Sequence, residues 1–90
     1  LSSKIANKLL PTSKARIIDN LGYAYFKKGE LVHSLTLMNK SLEIRKGAID
    51  LYGGIESNLH LAEYHSKTNS KKSLQHAEQA YELSTNLTLI

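Results

Sequence analysis

The 90-residue sequence contains no cysteine. Disulfides, thiolate metal sites and cysteine nucleophiles are therefore excluded together, although the compartment is left open, since exported proteins can also lack cysteine. Tryptophan is absent too, and Phe and Met occur once each, against five Tyr. A core has to be built from Leu, Ile and Ala, with Tyr at its edges. β-Branched residues are sparse and no stretch alternates apolar with polar, so strands are not expected. No apolar run approaches the roughly 20 residues that span a bilayer, so membrane insertion is not expected. The opening Leu1-Ser2-Ser3-Lys4 lacks both a Met and the form of a signal peptide. A piece of a longer protein is expected, in the cytoplasm, with export or a periplasmic location left open.

What is present fits one small folded domain. Hydrophobic residues make up 41% and charged residues 22%, too balanced for a disordered chain. The formal net charge is +4. Its basic pairs, Lys27-Lys28, Arg45-Lys46 and Lys71-Lys72, fall near expected helix ends, where cations at a C-terminus meet the helix dipole favourably. That accounts for the first two pairs without a polyanion. With no basic stripe and no aromatic stacking platform, nucleic acid is only the third choice of partner.

The single proline, Pro11, and the glycines at 22, 29, 47, 53 and 54 punctuate the chain. Between them apolar residues recur at spacings of three and four, which is helical. Five helices are expected. The first runs from Ser2 to Leu10, with Ile5, Ala6, Leu9 and Leu10 on one face, and ends at Pro11. The second runs from Ser13 to Lys28, burying Ile17, Ile18, Leu21 and Tyr25, and Gly29 closes it. The third covers Glu30 to Lys46, with Leu31, Leu35, Met38, Leu42 and Ile44 recurring, and Gly47 ends it. The fourth starts between Asp50 and Ile55, blurred by Gly53-Gly54 acting as a hinge. It carries Ile55, Leu59, Ala62 and Tyr64 as far as Thr68. The fifth starts at Asn69 or Ser70 and carries Leu74, Ala77, Ala80, Tyr81 and Leu83. Short connections between such helices make neighbours antiparallel.

The chain also repeats itself. Leu21-Gly22 and its following residues return about forty positions later at Leu61-Ala62, and His33-Ser34-Leu35 has a partner in Lys72-Ser73-Leu74. The first copy resembles the tetratricopeptide repeat, W-x2-L-G-x2-Y then A-x3-F then P. Leu21, Gly22 and Tyr25 match outright. Ile18 stands at the Trp place, Ser34 at the Ala, Met38 at the Phe, Ser41 at the second small position and Lys46 at the Pro. Ala6 and Pro11 have the spacing of a preceding repeat's end. The second copy is eroded. Either Leu61 and Ala62 take the Leu-Gly places and His65 the Tyr place, or Tyr64 takes the Tyr place and His60 the Leu place. Ser73, Ala77 and Ala80 keep the small positions. The period of 39 or 40 exceeds the usual 34, the extra length falling between Lys46 and Gly54, as in long-period repeats of bacterial signalling and regulatory proteins.

That resemblance implies a right-handed superhelical stack of antiparallel helix pairs, an α-solenoid. Residues 1–11 would end a preceding repeat, 13–46 form one repeat, 50–85 a second, and 86–90 a tail. It also implies a non-enzymatic module that binds a protein or peptide, as the sensing or scaffold part of a bacterial regulatory protein. In this family the first helix of each pair lines the concave face. The stripe beside the buried one in the first copy is Arg16, Asp19, Tyr23 and Phe26, flanked by Asn20 and Lys27. In the second copy it is Glu56, Leu59, Glu63 and Lys67, with His60 beside it. Glu63 and Lys67 are spaced for an i,i+4 ion pair. A carboxylate clamp of the chaperone type would want Lys and Asn where Asp19 and Tyr23 stand, which argues against one.

No chemistry competes with that expectation. Glu56, His60 and Glu63 share a helix face, but no further ligand is evident in the sequence, and no H-E-x-x-H occurs, so no metal or other cofactor is expected. Nucleophile elbows and phosphate-binding glycine loops are missing, and no catalytic residue is nominated. The alternative is a structural element that self-associates through its apolar ends, Leu87, Leu89 and Ile90 among them, since repeat arrays need polar caps.

Overall fold

The computed structural model describes residues 11–88. Four helices make up this stretch: α1 Pro11–Lys28, α2 Leu31–Gly47, α3 Leu51–His65 and α4 Ser70–Thr88. No strand occurs among the described residues. The expected helix from Ser2 to Leu10, and the tail residues Leu89 and Ile90, lie outside them. Pro11, expected to end a helix, is itself helical at the first position of α1, where a proline has no N–H to leave unsatisfied. No helix described here is long and apolar enough to cross a membrane.

The connections are short, and the side chains that meet show how the helices run. Tyr25 stacks on His33, while further from that turn Ser41 reaches the Ala15 carbonyl, so α1 and α2 are antiparallel. Arg45 meets Gly53 and Ser41 meets Ser57, giving the same relation for α2 and α3. Ser73 with Ala62, and Leu83 beside Gly54, give it for α3 and α4. α1 and α3 then lie side by side and parallel. Their bonded partners are a nearly constant 36 to 41 positions apart.

Two helix ends close in the same way with different residues. After α1, the Gly29 N–H donates to the Phe26 carbonyl (3.1 Å) and the Glu30 N–H to Tyr25 (2.9 Å), with Gly29 at φ +94°. After α2, the Ile49 N–H donates to Lys46 (3.2 Å) and the Asp50 N–H to Arg45 (2.9 Å), with Ile49 at φ 54°. Both are left-handed C-terminal caps. Gly47, expected to end α2, is its last helical residue, and the left-handed turn falls on a β-branched residue two positions later. That conformation costs an L-residue about 1–2 kcal/mol. Ile49 is 79% exposed and has little packing to lose. Ile49→Gly is therefore expected to raise stability by about 1 kcal/mol. Urea unfolding should show this as a higher midpoint with an unchanged slope.

The buried set is unusually polar. Its apolar centre is Met38, Leu42 and Leu61, with Leu35 and Tyr64 packed around them. Beside it lie Asp19, Ser34, Ser41, Arg45, Ser57, Asn58 and His65, all buried. On α1 the inward stripe is Ala15, Asp19 and Gly22, not Ile17 and Leu21, which are 65% and 48% exposed. Leu31, Leu59, Leu74 and Tyr81 are also exposed. The reason is close approach. A Cβ on Gly22 would stand 2.8 Å from Met38 Cγ and 3.1 Å from the Met38 backbone nitrogen. Small residues bring α1 and α2 together there, and the bulkier apolar residues are turned outward.

Candidate functional site

Three helices meet at Asp19. Its carboxylate is fully buried. His60 Nδ1, on α3, lies 2.6 Å from Asp19 Oδ2, and Arg45 Nη1, on α2, lies 3.7 Å from the same oxygen. Arg45 is itself buried. Nη1 donates to the Gly53 carbonyl (2.9 Å) and to Ser57 Oγ (2.8 Å), and Nη2 donates to Glu56 Oε1 (3.0 Å). Ser57 Oγ lies 3.4 Å from Asp19 Oδ1, and Ser41 Oγ donates to the Ala15 carbonyl at 2.7 Å. Gly53 makes room for the guanidinium, since a Cβ there would stand 2.6 Å from Arg45 Nε and press on the Asp50 carboxylate. Gly53-Gly54, expected as a hinge, is thus a packing device inside α3. Asp50 caps that helix, accepting from the Gly53 N–H at 2.9 Å.

The Asp19 network leads outward to a surface. The Asp19 hydrogen bond raises the His60 pKa above its ordinary value, against the opposing effect of burial. The His60 ring stacks on Tyr23 with centroids 4.2 Å apart. The Tyr23 hydroxyl donates to Glu63 at 3.1 Å, and Lys27 Nζ donates to the same carboxylate at 2.8 Å. The Lys27 hydrogen bond lowers the Glu63 pKa, and Glu63 in turn raises that of Lys27. This outer pair is solvent-exposed and adds little to stability. Beyond it, Phe26 packs on Tyr64 (5.5 Å), whose hydroxyl donates to the Leu31 carbonyl.

The residues nominated from sequence fall into five groups. Tyr23, Phe26, Lys27, His60 and Glu63 form one continuous surface patch across α1 and α3. Arg16 and Glu56 line a recess of about 430 Å³ with Thr12, Ser13, Asp50 and Tyr52, floored by Arg45 and Gly53. Lys67 lines a second recess of about 440 Å³ with Phe26, Leu31 and Tyr64. Asn20 and Leu59 are exposed between these features. Asp19 is the correction: fully buried, it cannot touch a partner, and it positions His60 from beneath. The expected Glu63–Lys67 pair is also replaced, because Glu63 is held by Lys27 of the neighbouring helix.

Sequence reasoning missed Arg45, read as a helix-end cation. Its spacing held the signal: Arg45 is seven residues from Met38, four from Ser41 and three from Leu42, on the buried stripe. A pair of histidines joins α3 to α4. His65 and His76 stack with centroids 5.9 Å apart, and His76 Nδ1 lies 2.9 Å from Asn58 Oδ1. Burial lowers the pKa of both, with Lys72 adding to the effect on each and Lys46 on His76.

Among the described residues no three His, Asp or Glu side chains come together as a metal-ligand set. Comparison with family models, with curated proteins and with solved structures gives no match.

Proposed function

We propose that this chain is a non-enzymatic interaction module of the tetratricopeptide type, which takes a protein or peptide segment along the α1–α3 face. In this reading the four helices are two helix pairs of a right-handed solenoid, and the module is the sensing or scaffold part of a bacterial regulatory protein. The supporting observation is the parallel pairing of α1 and α3, with bonded partners 36 to 41 positions apart, close to the sequence period. It is the relation that successive first helices have in a repeat array. The patch it creates joins half-buried aromatic rings to charged groups held by a buried anchor. Such rigid, partly desolvated aromatic and cationic groups are the usual carriers of binding energy.

A displayed peptide library panned against the chain tests this. Selected peptides are expected to lose at least about tenfold in affinity on the Arg16→Ala/Tyr23→Ala/Lys27→Ala variant, with helicity by circular dichroism unchanged. Equal affinity for both proteins would place the binding face elsewhere. Self-association is the second reading, favoured by the exposed apolar flanks of α1 and α4.

A further inference from the structure

Two flanks, on the first and last described helices, carry apolar side chains that the described residues cover only in part. On α1, Lys14, Ile17, Leu21 and Lys28 recur at helical spacing on the side away from Ala15, Asp19 and Gly22. Ile17 is 65% exposed and Leu21 48%. On α4, Leu74, Glu78, Tyr81 and Glu82 share a flank, with Leu74 61% and Tyr81 71% exposed. The contacts of α4 with α3 run through Ser73, His76 and Leu83 instead. α1 packs on α2 and α3, and α4 on α3, so the two flanks belong to opposite ends of the packing order.

Their charges are opposite. The α1 flank is basic; the α4 flank carries two carboxylates, Glu78 and Glu82, against one cation, Lys71, in its first turn, which leaves it net negative. Lys14, Glu78 and Glu82 make no ion pair among the described residues, and Lys28 has only a long contact with Glu30 at 3.6 Å. Apolar centres of similar make-up, framed by charges of opposite net sign, complement one another.

We infer that the occupant of each flank is a second copy of this chain, the acidic α4 flank of one copy seating on the basic α1 flank of the next. The inference sharpens the self-association reading by giving it a direction. The two surfaces differ, so the contact is heterologous, and each added copy presents a fresh flank at either end. The product is an open row rather than a closed dimer. Neither flank includes Tyr23, Lys27, His60 or Glu63, so peptide binding on the α1–α3 face stands or falls separately.

Sedimentation velocity on the 90-residue chain, taken up to about 1 mM, where a contact worth about 4 kcal/mol is half-formed, is the test. The average mass is expected to rise past a dimer with concentration and to fall as salt screens the charges. Lys14→Glu/Lys28→Glu and Glu78→Lys/Glu82→Lys should each weaken association at least about tenfold. All four positions are exposed, and circular dichroism will verify that both variants remain helical. An equimolar mixture of the two variants should associate again, because each reversed flank then meets one of opposite charge. A wild-type chain that stays monomeric, one that stops at a dimer, reversals without effect, or a mixture that stays dissociated would each overturn the inference.

Discussion

Asp19→Asn is expected to cost about 3 kcal/mol of stability, near the lower edge of what breaking a buried ion pair usually costs. The substitution keeps the shape and removes the charge. Arg45, with a side chain only 2% exposed, then keeps Glu56, a carboxylate open to solvent, as its one anionic partner. Its bonds to Ser57 and the Gly53 carbonyl persist, which is why the loss is not larger. The double variant Asp19→Leu/Arg45→Met should lose less than the two single changes summed, because an apolar pair leaves no uncompensated charge.

The same variant should reshape the pH profile. The folded pKa of His60 is raised, chiefly by Asp19. Its contribution is therefore full below the unfolded value of about 6.5 and is lost as pH rises through the raised folded value. His65 and His76 act in the opposite sense, since their folded pKa values are lowered. Stability is full above about 6.5 and falls as the pH drops toward their folded values. In the wild type the two trends therefore occupy separate windows: acidification raises stability through His60 above about 6.5 and lowers it through His65 and His76 below. Without Asp19 most of the gain above about 6.5 disappears, and the loss below it remains. Urea unfolding between about pH 5 and 8 measures both effects. A loss under about 1 kcal/mol at pH 7, or a profile parallel to the wild type, would show that Asp19 is not the anchor.

The helices were legible in the sequence because glycine and the spacing of apolar residues mark them well. Much of the surface patch was legible too: Tyr23, Lys27, His60 and Glu63 were all placed on the face where they meet. The depth of each residue was not. Periodicity puts the most apolar stripe inside, which favours Ile17 and Leu21 over Ala15, Asp19 and Gly22. Here close approach decides, and small residues at 15, 22, 34 and 41 set the spacing of α1 against α2. A charged residue reads as surface unless its partner is visible, and the partners of Asp19 stand 26 and 41 positions away on other helices. The end of α2 at Gly47 was legible, but the left-handed residue of its cap was not. A glycine is the cheapest left-handed residue, yet the hydrogen bonds of the cap fall on Ile49.

Gly53 and Gly47 should respond to the same substitution with opposite signs. At Gly47 a Cβ meets nothing within 4 Å, and the backbone is helical. Gly47→Ala is expected to stabilise by roughly 0.5–1 kcal/mol, the ordinary advantage of alanine in a helix. Gly53→Ala has the same propensity gain but nowhere to put the methyl group. It would press on the Asp50 carboxylate and stand 2.7 Å from Arg45 Cδ. Arg45 cannot step aside cheaply, because its guanidinium is held by Gly53, Ser57, Glu56 and Asp19 at once. Asp50 cannot move without giving up the cap of α3. Overpacking of this kind costs about 1–3 kcal/mol, and a lost cap about 1 more. A net loss of about 2 kcal/mol is expected for Gly53→Ala. Paired unfolding curves for the two alanine variants measure it. Two stabilised variants would mean that Arg45 can shift freely, and the Asp19–Arg45 anchor would then be a loose contact rather than the point that fixes α1, α2 and α3 together.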